Sequence, residues 1–519
     1  MKVLLIDPPG ANKGLNTGLA YLAGTLTTNG RDEVTVLDLN NRAYGRMGDP
    51  NPDSSPDVWR RELEDTLYSF IPDLVGISVK TFTSVVAAQI ISAVRDMRPA
   101  ATVVLGGPHV TLDGVQYLEE TGAHIGVVGE GELALPEICR ALEQEKPLSE
   151  IEGIVYRSAN TVIANKARQV LQDLDALPFP NYRVFSSVQH DLSLLLEYPL
   201  LTARGCPFNC SYCSMPLLMG RRWRARSSES VISELRFAVE QVGSTSFTIV
   251  DDNFTLNTKR AEAICDALIE NGLAMPWSSQ NGFRADRLTP SLISKMRQSG
   301  CYHVWIGIES GDEQVFQSIE KGEKLEDIKA AVLSLKAVGI KVGGFFIIGL
   351  PGSTRELDLK SLALAQELGI EAWWFNYVPY RFTRSGEWVM QNARILRPPE
   401  ASVQYGRARI EPVFETPEYT REERIATYEE VHVRMGYFDR LVDANASWLA
   451  NALRLCRIVP KYGVRPTLSM MRYMAARINQ WASRIGWVHR SSPIDVAVNL
   501  PNATSQSLAP KPIRPLEEQ

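Results

Sequence analysis

The chain holds 519 residues, of which 45% are hydrophobic and 22% charged. That balance supports a buried core and excludes global disorder, and about 150 residues per domain predicts three or four domains. With 55 basic and 60 acidic residues the net charge is −5, so no strongly basic surface argues for nucleic acid as a partner. The opening MKVLLIDPPG has an apolar run only from Val3 to Ile6, too short for a secretory signal. No stretch reaches the roughly 18 apolar residues of a spanning helix. A cytoplasmic chain with reduced thiols is expected, and there clustered cysteines read as metal ligands rather than disulfides.

Residues 1–148 alternate short apolar runs with amphipathic stretches. The runs are Lys2–Asp7, Val34–Asp38, Leu74–Ser78, Thr102–Gly106 and Ile125–Val128. Apolar strands separated by helices predict a doubly wound, Rossmann-like parallel sheet of five strands. Ligands of such sheets sit beyond the carboxyl ends of the strands. Pro9, Gly10, Ser78, Gly106, Gly107, His109, Gly129, Glu130 and Gly131 all fall there. Each glycine can serve a tight turn alone; several at one edge point to a ligand cleft. Residues 149–195 read as a linker, with Ile154–Arg157 as a candidate short strand. Leu174–Pro180 is extended, because its two prolines forbid a helix.

A second alternation covers 196–385. Its candidate strands are Leu200–Ala203, Phe247–Val250, Pro276–Gln280, Tyr302–Ile308, Val342–Ile348 and Ala372–Val378. Six βα units fit either a partial barrel or another doubly wound sheet. From 386 to 490 the pattern turns helical, over Arg421–Tyr437, Arg440–Cys456 and Thr467–Ile485. Residues 491–519 hold five prolines and little periodicity and read as a flexible tail.

The chain has seven cysteines, too few for a disulfide scaffold. Three of them, Cys206, Cys210 and Cys213, stand in C-x3-C-x2-C spacing after the first strand of the second alternation. Three thiolates so close can converge on a soft metal centre. Zinc would want a fourth ligand, and no other Cys or His lies near in sequence. A 4Fe–4S cluster held by three cysteines leaves one iron open to a small molecule. Cys139, Cys265, Cys301 and Cys456 fall in helical or strand patterns and read as packing residues.

With this motif, residues 199–380 resemble the radical S-adenosylmethionine (SAM) core. Asp251-Asp252-Asn253-Phe254, Gly307-Ile308-Glu309-Ser310-Gly311 and Gly349-Leu350-Pro351-Gly352 extend the likeness at successive strand ends. Residues 1–180 resemble the cobalamin-binding domain that precedes this core in one subgroup, through Gly106–Thr111, Gly129–Glu132 and Leu174–Pro180. The resemblance implies a partial (β/α)6 TIM-like barrel and three cofactors: a 4Fe–4S cluster, SAM and cobalamin as methylcobalamin. It implies that Cys206, Cys210 and Cys213 hold the cluster and that Tyr212, Asp251, Asp252, Arg284, Glu309, Ser310 and Gly349 surround SAM. No catalytic side chain is assigned. None of the six histidines stands in the D-x-H-x-x-G motif that supplies a cobalt ligand elsewhere; His109 is either near the ligand or a turn residue capping its helix.

The implied reaction is methyl transfer to an unactivated carbon of a small-molecule biosynthetic intermediate through a 5′-deoxyadenosyl radical. An external electron donor of flavodoxin or ferredoxin type is expected. A ring-forming or rearranging enzyme of the same subgroup is the alternative, and a cobalamin sensor with an inactive barrel is a different class. A methylthiotransferase is disfavoured, because its N-terminal domain would carry its own cysteine triad and residues 1–138 contain no cysteine. Residues 451–490 carry eight basic residues and no acid. They fit a helical lid, a face packed on the barrel or a peripheral membrane contact.

Overall fold

The computed structural model describes residues 1–10, 14–28, 30, 32–43, 56–401, 410–442 and 447–484. The sequence-predicted tail 491–519 lies outside them. The first sheet holds β1 (Lys2–Asp7), β2 (Glu33–Asp38), β3 (Leu74–Ser78), β4 (Thr102–Gly106), β5 (Ile125–Val127), β6 (Ile154–Ser158) and β7 (Thr161–Ala164). Their order is β2-β1-β3-β4-β5-β6-β7. The first five are parallel and nearly all buried, as strands covered by helices on both faces must be.

The sheet is therefore two strands larger than expected. β6 and β7 form an antiparallel hairpin on β5, built from residues read as linker. Its two-residue turn, Ala159-Asn160, runs through Ala159 at φ +50, the backbone hand a tight hairpin needs, with an asparagine at its second position and no glycine. The rest of 149–195 is packed as well. Asn181 donates its backbone N–H to Ala20 O at 2.8 Å. A Cβ on Gly24 would meet Phe179 O at 2.3 Å, so the helix Thr17–Thr28 needs glycine to let this strap pass.

The second sheet contains β8 (Glu197–Leu200) and, after a short antiparallel pair β9 (Ala203–Arg204) and β10 (Arg224–Ala225), the strands β11 (Ser246–Ile249), β12 (Trp277–Phe283), β13 (Cys301–Glu309), β14 (Lys341–Ile348) and β15 (Glu371–Asn376). The six long strands are all parallel, in the order β15-β14-β13-β12-β11-β8. β8 and β15 are its two edges, which makes the sheet an open barrel. The first barrel strand ends three residues before the sequence places it. Pro199 is tolerated because β8 is an edge, and Ala203–Arg204 leave the sheet to pair with β10.

Beyond the barrel, β16 (Arg394–Ile395) and β17 (Phe414–Glu415) form an antiparallel pair. The helix Arg421–Met435 starts with a capping box between Thr420 and Glu423. The expected single helix over Arg440–Cys456 is instead a 3-10 turn, Phe438–Leu441, and a helix Trp448–Ile458 that begins at the Ser447 cap. No helix among the described residues is long and apolar enough to cross a membrane.

Candidate active site

The three cysteines line one cavity of about 410 Å³ at the carboxyl ends of the barrel strands. All three are partly buried free thiols. Their loop is held at several points. Gly205 stands at φ +85, where a Cβ would meet Arg222 O at 2.6 Å, and its N–H donates to Asp252 Oδ2 at 2.8 Å. Ser211 N–H donates to Ile319 O at 2.9 Å. Arg384 donates to Asn209 O at 2.6 Å, and Ser385 bonds Ser211 at 2.8 Å.

Among the described residues no three His, Cys, Asp or Glu side chains converge on one metal ion. An iron–sulfur cluster makes no such demand, since each thiolate binds a different iron. Burial pushes the Cys210 thiol up to about 11 and the Cys213 thiol up to about 12. Such thiols stay protonated unless a cationic centre offsets the cost of ionising them. Asn253 leaves its buried Oδ1 without a hydrogen-bond partner and holds Nδ2 4.0 Å from Cys206 Sγ. The donor set and the unsatisfied amide fit a metal cluster with a bound polar ligand.

Tyr212, Asp252, Arg284 and Glu309 line the same cavity. Glu309 ends β13 with φ +65, a strained conformation for a residue with a side chain. That turn aims its carboxylate back into the site, where Lys321 Nζ stands 3.4 Å from Oε1. Lys321 is buried, donates to Gly307 O, and pairs Glu323 Oε2 at 3.1 Å. Glu323 Oε1 accepts from Ala285 N at 2.7 Å. Arg284 donates to Lys321 O at 2.7 Å and lays its guanidinium 3.4 Å from the centre of the Phe208 ring. Lys321 and Glu323 were not singled out from the sequence. They follow a short helix, Glu313–Ser318, and carry no motif.

Asp251, Ser310 and Gly349 sit beside the cavity rather than in its lining. Asp251 is buried and accepts from Thr202 N and Oγ1, each at 2.5 Å. Ser310 Oγ accepts from Asp312 N at 3.2 Å. Gly349, at φ +79, donates to Asp358 Oδ2 at 2.8 Å, and its carbonyl accepts from Arg424 at 3.1 Å. Burial pushes the Asp358 carboxyl up to about 6. Its contribution to stability is full below the ordinary value of 3.8 and is lost as the pH rises through 6. An Asp358→Asn variant should therefore flatten the pH dependence of the urea midpoint across that window; an unchanged slope would contradict the assignment.

The far side of the cavity is apolar, with Phe345, Ile347 and Phe375 from the barrel. Trp305 stacks on Phe345 at 4.8 Å, and Arg440 covers Trp373 at 3.6 Å. Tyr377 and Tyr380, with Arg397, Glu411 and Val413 from the C-terminal segment, form the remaining wall.

The edge of the first sheet gathers the other expected group. Pro9 and Gly10 follow β1; Ser78 and Gly106 end β3 and β4. A Cβ on Gly107 would meet Val79 O at 2.9 Å. His109 is buried on the helix Pro108–Thr121, edge-on to Tyr117 at 4.6 Å. The helix is entered at Gly107 without a side-chain cap, so His109 does not cap it. Burial lowers its pKa, which favours the neutral ring. Asp7, Asn16 and Lys80 add polar groups at this edge: Asp7 Oδ1 accepts from Asn16 at 2.8 Å and Lys80 at 3.2 Å. Gly129 N–H donates to Thr111 Oγ1 at 3.1 Å, and Gly131 opens the helix Gly131–Glu143.

Glu130 turns the other way, into the barrel. Arg204 donates to its Oε1 at 2.9 Å and Arg224 to its Oε2 at 2.7 Å, while Leu171 N–H reaches Oε2 at 2.8 Å. Arg204 also donates to Glu132 at 2.5 Å. All four charged side chains are less than a tenth exposed. Arg204 is two residues before Cys206, so this joint ties the first sheet's ligand edge to the cysteine loop.

Residues 200–364 match the model of the radical SAM superfamily, and residues 10–139 match that of the B12 binding domain. An uncharacterized methyltransferase of Pyrococcus horikoshii is 31% identical over 76% of this chain and 84% of its own length. An anaerobic magnesium-protoporphyrin IX monomethyl ester cyclase of Rubrivivax gelatinosus is 26% identical, over 74% of this chain and 69% of its own. The structure of the radical SAM methyltransferase TsrM from Kitasatospora setae, with cobalamin and a 4Fe–4S cluster bound, superposes with a TM-score of 0.62 at 20% identity, covering 75% of this chain and 78% of that one. The cysteine chamber, the glycine-lined sheet edge tied to its loop through Glu130 and Arg204, and these matches make the chain a member of the cobalamin-binding radical SAM family, an enzyme of the radical SAM methyltransferase kind.

Proposed function

We propose that the enzyme methylates an unactivated carbon of a small-molecule biosynthetic intermediate, drawing electrons from a flavodoxin- or ferredoxin-type donor. The observation that carries the reading is the joint between sites. The cysteine loop and the first sheet's ligand edge are held together by Glu130 and Arg204 across one buried contact. Bound there, the cofactors supply one-electron cleavage of SAM and a methyl donor. Cys206, Cys210 and Cys213 would hold the cluster. Glu309, Lys321 and Arg284 would orient SAM, and the apolar wall of Phe345, Ile347 and Phe375 keeps water from a reactive carbon radical.

Anaerobic reconstitution with iron, sulfide and cobalamin, then reductant and SAM, should yield 5′-deoxyadenosine and S-adenosylhomocysteine. The Cys206/Cys210/Cys213→Ala triple variant should lose the cluster's visible absorbance and both products; retained absorbance would sink the ligand assignment. The likeness to the cyclase favours a second reading, ring formation without methyl transfer. It predicts 5′-deoxyadenosine with no S-adenosylhomocysteine above background.

A further inference from the structure

The C-terminal helices carry a feature that the chemistry of the barrel does not use. The helices Trp448–Ile458 and Val464–Arg484 each have an inner face that is anchored. Leu455, Ile458 and Met470 are buried, Tyr473 packs against Phe438 at 5.7 Å, and Tyr462 donates to Ala426 O at 3.2 Å. Each also has an outer apolar stripe. On the second helix Val464, Leu468, Met471 and Ile478 recur at i, i+4, i+7 and i+14, one side of a helix, and are 76%, 51%, 57% and 43% exposed. On the first helix Leu449 and Leu453 are each 61% exposed, beside Trp448.

The charge of this segment is one-sided. Residues 447–478 contain six arginines and lysines and no acid, although the whole chain is net −5. Arg465 and Arg472 each follow a stripe residue and are exposed, which places them about 100° around the helix, at the flank of the stripe. An apolar stripe with basic residues alongside, on a helix whose opposite side is already packed, is the pattern of a helix lying in the plane of a lipid headgroup layer. Basic residues near an anionic leaflet add electrostatic attraction to it. A protein partner would need an apolar groove with an acidic rim matched to this one geometry, whereas a lipid headgroup layer meets both features with no such match.

We infer that this two-helix face docks the enzyme on an anionic lipid bilayer, with the stripe in the headgroup region and the arginines on lipid phosphates. The inference does not rest on the reaction proposed above. The full chain, incubated with vesicles of phosphatidylcholine and phosphatidylglycerol in equal parts, should float with them. It should stay behind with pure phosphatidylcholine, and high salt should weaken the binding. The Leu453→Glu/Leu468→Glu/Met471→Glu variant should bind at least about tenfold more weakly, and so should Arg465→Glu/Arg472→Glu. Both change only exposed positions, so unaltered circular dichroism and melting keep the comparison sound.

Absence of flotation at low salt would overturn the inference. So would unchanged binding by the apolar variant. Self-association in solution that the same variant abolishes would assign the face to a second copy instead. Retention of a purified flavodoxin without any vesicle binding would assign it to a carrier protein.

Discussion

Replacing Glu130 with alanine should lower the free energy of unfolding by about 3–5 kcal/mol, the cost of leaving buried charges without their partner. Two guanidinium groups lose their shared carboxylate in this variant, and both are less than a tenth exposed. Arg204 retains Glu132, but Arg224 is left with only carbonyl partners, Leu171 O and Met219 O. Burial alone would raise the Glu130 pKa, yet Arg224 and Arg204 outweigh it and hold the carboxyl below its ordinary 4.5. The stabilisation is therefore complete above that pH and is lost as the pH falls through the depressed value. Urea unfolding at neutral pH measures the main effect. A loss under about 1 kcal/mol, typical of an exposed pair, would show that the joint is solvated. Because Arg204 leads into Cys206, the variant should also uncouple the two halves of the reaction. SAM cleavage should persist while methylated product per 5′-deoxyadenosine falls.

This joint also marks where the sequence stopped being readable. Glycine turns at 106–107 and 129–131 announced a ligand edge, because glycine is required wherever backbone packs on backbone, and a Cβ on Gly107 would indeed strike Val79. Glu130 shared that turn and was grouped with it. Its side chain points across a domain boundary to arginines 74 and 94 residues away, and no local pattern encodes such a distance. The same limit hid Lys321, whose partners are set by the tertiary course of β13. The cysteine loop was legible because metal-ligand spacing is a local property. Most of the barrel strands were legible because burial on both faces writes apolar runs; the first was read three residues too late, since Ala203–Arg204 leave the sheet to pair with β10. Of the β6–β7 hairpin only the first strand was legible, as the candidate Ile154–Arg157; β7 was not, because a half-exposed strand after a turn without glycine leaves little signal.

Lys321→Met should weaken SAM binding by about ten- to a hundredfold while leaving the cluster in place. The lysine is the point through which the expected SAM contacts are connected. Its Nζ sits between Glu309 and Glu323, and its carbonyl accepts from Arg284. Glu323 in turn receives the backbone N–H of Ala285, which follows Arg284 in sequence. Removing the ammonium leaves two buried carboxylates repelling each other, and Glu309 already holds a strained backbone. Hydrogen bonds to charged groups contribute about 1.5–3 kcal/mol, which sets the size of the expected change. Cys210 also lies in this field: burial raises its thiol pKa most, and Lys321 partly offsets that. Equilibrium binding of SAM to the reconstituted cluster separates the effects. Intact cluster absorbance with a raised Kd supports a positioning role for Lys321, and an unchanged Kd removes it. Glu323→Gln, which keeps the acceptor for Ala285 and lowers the charge around Lys321, should fall between the wild type and Lys321→Met.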